Sequence, residues 1–168
     1  MSGARLALLT LFTLIAQVAV IPRIAIAGIR PDLTVLLVVL AGLRGGPITG
    51  TLVGFFLGLL QDLLVPETLG MNALAKSIVG WQAGKLSGQL ALDGPPLYLG
   101  LITAAVVVHD FIYLLCFTGF DIGRFFAMFF TNAIPTAIYT GLFAGLMAIV
   151  VLVLQQGSLG RAPGGRNG

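Results

Sequence analysis

Small and polar residues recur at every fourth position in two series between positions 50 and 88. The first series is Gly50, Gly54, Gly58 and Asp62, and the second is Asn72, Lys76, Gly80, Gly84 and Gly88. Residues four apart lie nearly above one another on an α-helix, drifting by about 40° per step. Each series therefore predicts a narrow ridge along one side of a helix.

The two series mirror each other across the break at positions 65–69. Folding the chain back there gives the pairs Gly58 with Gly80, Gly54 with Gly84, Gly50 with Gly88, and Asp62 with Lys76. A glycine costs roughly 1 kcal/mol against alanine in a helix in water, whereas in a bilayer small residues allow helices to approach closely. We therefore expect an antiparallel pair of membrane helices in contact along these glycines, with unrelated packing as the alternative.

The composition is typical of a chain that lies almost entirely in lipid. Of its 168 residues, 58% are hydrophobic and 9% are charged, against about 25% charged residues in an average soluble domain. The net charge of +3 rests on nine basic residues, which indicate membrane orientation and not nucleic-acid binding. The single cysteine, Cys116, lies in an apolar run, so no disulfide framework or thiolate metal site is expected.

Six apolar segments predict an all-α, polytopic integral membrane protein with about six transmembrane helices. The predicted helices cover positions 6–21, 31–45, 47–64, 70–90 and 97–118, and the last one lies within 124–155. We expect residues 1–155 to form a single transmembrane helical domain and residues 156–168 to be a flexible tail. The first segment imitates a secretory signal, but its length and the apolar sequence after it favour an uncleaved helix.

Two of these segments leave alternatives open. The second helix has about thirteen residues, roughly 20 Å, so it either spans the core of about 30 Å thinly or is re-entrant. Segment 124–155 is too long for one simple span. We divide it at Asn132 and Pro135 into a phenylalanine-rich interfacial helix and a membrane helix, although one continuous kinked helix also fits.

The basic residues predict which side of the membrane holds the termini. An even number of spans places both termini on one side, and the positive-inside rule favours the cytoplasmic side. Arg5, Arg44, Lys85, Arg161 and Arg166 are then cytoplasmic, while Arg23, Arg30 and Arg124 face outwards. The expected location is the bacterial cytoplasmic (inner) membrane.

Seven polar residues fall in the outer half of the membrane under this topology. They are Asp32, Asp62, Asn72, Lys76, His109, Asp110 and Asn132. Ionisable groups inside a membrane cost a few kcal/mol each and are candidate functional residues by default. The mirrored register predicts an ion pair between Asp62 and Lys76, which either locks the hairpin or lines an outward-facing polar pocket.

His109 and Asp110 are neighbours in the chain and would point about 100° apart on a helix. We therefore expect no joint site from them, with His109 bonding one helix to another. The sequence has no supported catalytic serine, no phosphate-binding loop, and no His, Cys and carboxylate spacing typical of a metal site. We expect no enzyme activity, no cofactor and no metal.

Three stretches of the sequence resemble the MreD family of rod shape-determining membrane proteins. They are Arg30-Pro31-Asp32-Leu33 with the apolar run after it, Gly58-Leu59-Leu60-Gln61-Asp62-Leu63, and Leu69-Gly70-Met71-Asn72-Ala73-Leu74 followed by Lys76 and Gly80. The resemblance implies a six-helix fold similar to the S component of energy-coupling-factor transporters. It also implies partnership with MreC and, in a wider complex, with RodA, a class B penicillin-binding protein and MreB.

Two functions from different classes follow. The first is a non-enzymatic membrane scaffold that binds the transmembrane helix of MreC and helps direct lateral peptidoglycan synthesis. A third stripe of small residues, Ala137, Gly141 and Gly145, is a candidate surface for that partner helix. The second is an S-component-like protein that binds a small solute such as a vitamin in the outer polar pocket.

Overall fold

The computed structural model describes residues 3–26, 28–88 and 95–159, with side chains at 8–26, 28–88 and 97–147. The regular structure of these residues is helical, which confirms the all-α prediction; an isolated β-bridge joins Ile26 and Ile29. The α-helices are α1 (Gly3–Ala19), α2 (Leu33–Asp62), α3 (Met71–Leu86), α4 (Pro95–Phe117), α5 (Ile122–Met128) and α6 (Ile134–Leu159). Helix α6 thus continues past position 156, and the remaining tail lies outside the described residues.

Gly46 divides α2 into two arms, residues 33–45 and 47–62, that fold back on each other. Its φ of 79° and ψ of −178° belong to a region that is essentially restricted to glycine. In a straight helix, residues 34 and 61 would be about 40 Å apart, yet Thr34 Oγ1 lies 3.3 Å from Gln61 Oε1. The predicted division between Gly45 and Pro47 is therefore confirmed.

Three apolar stretches of the described residues are long enough to cross a membrane. They are Leu33–Asp62, Leu97–Phe117 and Ile122–Met147, and Leu8–Ala19 is a shorter apolar helix. The first of these stretches is the one that folds back at Gly46, so its two arms are each shorter than a typical span. The count of about six crossings remains a prediction.

Helix α3 packs against α2 in backbone contact, as the glycine series predicts, but in a different register. A Cβ on Gly50 would meet the carbonyl of Gly80, and a Cβ on Gly54 would meet that of Lys76. Gly58 lies in the same way against the backbone of Asn72. The predicted register is therefore wrong by eight residues, because Asp62 binds backbone amides at the start of α3 and draws that end of α3 onto the end of α2.

The register shift changes the partners of the remaining glycines. Gly84 lies against Pro47. Gly42 on the first arm also approaches Gly80, since a Cβ on Gly42 would lie 2.7 Å from the Gly80 carbonyl oxygen. Gly88 follows the end of α3 with a φ of 78°, and no atom of the described residues lies within 4 Å of a Cβ placed there. Its prediction as a helix-packing residue is wrong.

The small-residue stripe of α6 packs inside the protein. Gly141 lies against Thr103 of α4, a Cβ on Gly145 would lie 2.8 Å from Leu99 Cδ2, and Ala137 is buried in the core. The suggestion that this stripe is free to bind a partner helix is therefore wrong. The same core contains fully buried residues of both arms of α2, α3 and α4, namely Val35, Val38, Leu57, Val79 and Val106.

Helix α5 continues into α6 through a π-helical segment, Phe129–Ala133. Pro135 cannot donate the usual backbone hydrogen bond, and a wider turn accommodates its loss. The prediction of two separate helices is wrong, and the continuous alternative holds. The phenylalanines of this segment do not form one exposed face. Phe126 and Phe130 are exposed, whereas Phe125 is buried and its ring packs edge-on against Phe111 of α4, with centroids 5.2 Å apart.

The close contact of α2 with α3 predicts opposite effects for two glycine-to-alanine variants. Gly54→Ala places a methyl group on the Lys76 backbone and should lower stability by roughly 1–3 kcal/mol through overpacking. Gly100→Ala on α4 meets no atom of the described residues within 4 Å and should gain up to about 1 kcal/mol from helix propensity. Thermal unfolding of the detergent-purified variants measures both. Equal melting temperatures would contradict the contact.

Candidate functional site

Lys76 lies at the centre of a buried polar cluster formed by Asp32, Asp62, Asn72, Lys76, His109 and Asp110. Its side chain is fully buried. An ammonium has three N–H donors, and three acceptors surround this one: His109 Nε2 at 2.9 Å, Asn72 Oδ1 at 3.2 Å and Asp32 Oδ2 at 3.5 Å. These acceptors come from α4, from α3 itself and from the start of α2, so one cation joins three helices.

Asp62 caps the start of α3 and does not pair with Lys76. Its carboxylate accepts hydrogen bonds from the backbone N–H groups of Gly70, Asn72 and Ala73 at 3.0–3.2 Å, and from Asn72 Nδ2 at 2.9 Å. The positive end of the α3 dipole favours an anion in this place. The predicted Asp62–Lys76 ion pair is therefore wrong, and Asn72 connects the two side chains indirectly.

Asp32 is the N-cap residue of α2. Its Oδ1 accepts from the backbone N–H groups of Thr34 and Val35 at 2.8 and 3.0 Å and from the Thr34 hydroxyl at 2.6 Å. Its Oδ2 faces Lys76. The backbone N–H of Asp32 donates to Thr140 Oγ1 of α6 at 3.0 Å, so this one residue contacts α3 and α6 while it begins α2.

His109 bridges Lys76 and Asp110. Its Nδ1 lies 2.8 Å from Asp110 Oδ1, so the expectation that the two neighbours share no site is wrong, although His109 does bond helix to helix as predicted. The Lys76 ammonium can only donate, which requires an acceptor lone pair on His109 Nε2. We therefore assign the proton of the neutral ring to Nδ1, from which it is donated to Asp110.

The structure brings together six of the seven predicted polar residues and leaves out Asn132. Asn132 is exposed in the π-helical segment and donates to its neighbour Thr131 at 3.2 Å. Three further polar residues were not predicted: Thr34 and Thr140 contact Asp32, and Gln61 contacts Thr34. Thr140 carried a usable signal, because it lies three residues after Ala137 on the buried side of α6.

The polar cluster is suited to holding helices together. Among the described side chains, every buried nitrogen and oxygen atom has a hydrogen-bond partner, and no group of three His, Cys, Asp or Glu residues there could hold a metal ion. The cluster is largely buried and reaches the surface at Asp32 and Asp110, whose side chains are each 16% exposed, and at the partly buried Asn72. Its buried donors and acceptors are satisfied within the protein, by one another and by backbone amides of α2 and α3.

Comparison with protein families gives a match over nearly the whole chain. The sequence model of the rod shape-determining protein MreD matches residues 3–157, a range that contains the whole polar cluster and every α-helix up to the last residues of α6. Comparison with curated proteins and comparison with solved structures gave no match.

Removal of the Lys76 charge should strongly destabilise the protein. Lys76→Met leaves the Asp32 carboxylate without its cation and breaks the bond to His109, a loss worth about 3–5 kcal/mol for a buried pair. Lys85→Met is the matched control on the same helix, because Lys85 is exposed and lies 5.5 Å from the Trp81 ring centroid; it should cost about 1 kcal/mol or less. Thermal or denaturant unfolding in detergent measures both.

A double variant tests whether the loss arises at Asp32. In an Asp32→Asn background, Lys76→Met should cost less than it does alone, with a coupling of about 0.5–3 kcal/mol. Strict additivity of the two changes, or a Lys76→Met variant as stable as Lys85→Met, would contradict the central position of the ion pair.

Proposed function

Because the chain belongs to the MreD family of rod shape-determining bacterial membrane proteins, we propose that it is a non-enzymatic scaffold in the inner membrane that binds MreC. Membership gives the chain a role in rod shape determination. In the proposed role, it couples the MreC transmembrane helix to the wider complex of RodA, a class B penicillin-binding protein and MreB, and so helps direct lateral peptidoglycan synthesis. The family match over residues 3–157 is the observation that carries this proposal.

The geometry of the polar cluster supports a scaffold more than a solute-binding protein. A solute pocket needs polar groups that are free to receive a ligand. Here the three donors of Lys76 and the acceptors of Asp62 already have protein partners on α2, α3 and α4. Polar groups that hydrogen-bond within the protein hold the helices together as a rigid unit, as the core of a scaffold requires.

The orientation proposed for this scaffold places its basic end in the cytoplasm. Ser87 Oγ donates to the Leu43 carbonyl at 2.8 Å, which ties the end of α3 to the end of the first arm of α2. The exposed Arg44 and Lys85 therefore lie at one end of the protein, and the polar cluster lies towards the other. The positive-inside rule then favours cytoplasmic termini and six crossings, with each arm of α2 counted as one.

Purification with native partners tests the proposal. The tagged chain, extracted from its own membrane with a gentle detergent, should bring MreC and wall-synthesis proteins with it, as identified by mass spectrometry. Depletion of the chain should turn rod-shaped cells round. Wild type and Lys85→Met should restore the rods, and the less stable Lys76→Met should restore them poorly.

Two results would contradict the scaffold. One is recovery of a transporter ATPase or a bound metabolite in place of MreC, and the other is unchanged cell shape after depletion. A Lys76→Met variant that is stable, binds MreC normally and still fails to restore shape would instead place a function beyond scaffolding in the polar cluster.

A further inference from the structure

An apolar groove lies between α1, the first arm of α2, and α6. Its volume is about 460 Å³. Apolar side chains from all three helices line it, and they include Phe12, Ala16, Leu37, Leu40, Phe143 and Met147. None of the six residues of the polar cluster takes part.

Arg44 lies at one end of this groove and is the charged residue among those that line it. Its side chain is exposed, and within the part of the chain that the structure describes, no hydrogen bond or ion pair holds its guanidinium. A guanidinium is a planar donor that matches the geometry of a phosphate. The groove therefore combines a long apolar wall with one free phosphate-binding group at its end.

The dimensions of the groove fit an extended hydrocarbon chain. Its α2 wall runs from Leu33 to Arg44, roughly 16 Å at 1.5 Å per residue, which is close to half of a hydrocarbon core of about 30 Å. A helix about 10 Å across and 16 Å long would occupy about 1,250 Å³, well above the volume available. One acyl chain from one leaflet matches the space better than a helix does.

We propose that this groove binds an anionic phospholipid, with an acyl chain along α2 and the headgroup phosphate on Arg44. Arg44 lies at the end of the protein that also carries the exposed Lys85. The inference is independent of the scaffold function, since it rests on the groove and on Arg44 alone. The lipid phosphate would give the Arg44 guanidinium an anionic partner, which the neighbouring helices do not provide among the described residues.

Native mass spectrometry of the detergent-purified chain tests the site with defined lipids. Phosphatidylglycerol and phosphatidylcholine with identical acyl chains are titrated in parallel. Wild type should retain phosphatidylglycerol with a preference of roughly fivefold, as expected for one basic residue facing an anionic headgroup. Arg44→Gln should abolish the preference, and the matched control Arg124→Gln, an exposed arginine outside the groove, should keep it.

A second variant tests the acyl-chain half of the site. Ala16→Leu fills the middle of the groove and should weaken binding of both lipids several-fold while leaving the melting temperature close to that of wild type. The proposal is overturned if Arg44→Gln keeps the wild-type preference, or if Ala16→Leu binds both lipids normally. It is also overturned if a photo-crosslinker at Phe12 in the native membrane captures a protein helix in place of lipid.

Discussion

A lysine ammonium without water must find its hydrogen-bond acceptors inside the protein, and Lys76 takes them from three elements. A buried charge that is unpaired costs several kcal/mol, so the structure tolerates this one only while Asp32, Asn72 and His109 remain in place. That condition fixes the start of α2, the first turns of α3 and the middle of α4 relative to one another. Polar pairing thus positions the helices more specifically than apolar contacts alone would.

Glycine allows this polar arrangement to form. The Lys76 backbone lies directly against Gly54, and the Asn72 backbone lies against Gly58, so a side chain at either glycine would push α3 away from α2. Close backbone contact brings the amides of Gly70, Asn72 and Ala73 within reach of Asp62. The glycine ridge and the polar cluster are therefore one structural unit, in which van der Waals packing and hydrogen bonding depend on the same interhelical distance.

The sequence pattern predicts elements better than it predicts partners. The periodic glycines predict the helices, and Pro47 predicts the break near Gly46, because each of these patterns depends only on neighbouring residues. The register of α3 on α2 could not be predicted from the mirror symmetry. Sliding α3 along α2 by whole turns leaves the two glycine ridges in contact, so the glycines do not distinguish one register from another. The observed register is the one in which backbone amides of α3 reach Asp62.

The polar cluster shows the same limit. The membership of Asp32, Lys76 and His109 follows from the cost of charge in lipid, whereas their pairing depends on helix positions that no local pattern contains. Asn132 was misplaced because its segment is continuous through a π-helical turn and faces outwards. The stripe of Gly141 and Gly145 was likewise a true packing signal, and only the position of α4 decides what packs there.

The composition of α3 has a consequence for how the chain enters the membrane. Met71–Leu86 is neither among the stretches apolar and long enough to cross nor among the shorter apolar helices of the described residues. Its buried Lys76 raises the cost of insertion further, since a lysine costs up to about 2.5–3.5 kcal/mol in a membrane helix. During synthesis, α3 follows the α2 arms that carry Asp32 and Asp62 and precedes the helix that carries His109. We therefore expect the insertion of α3 into lipid to depend on the acceptors that its neighbours supply to Lys76, so that loss of a cluster residue lowers the yield of inserted protein as well as its stability.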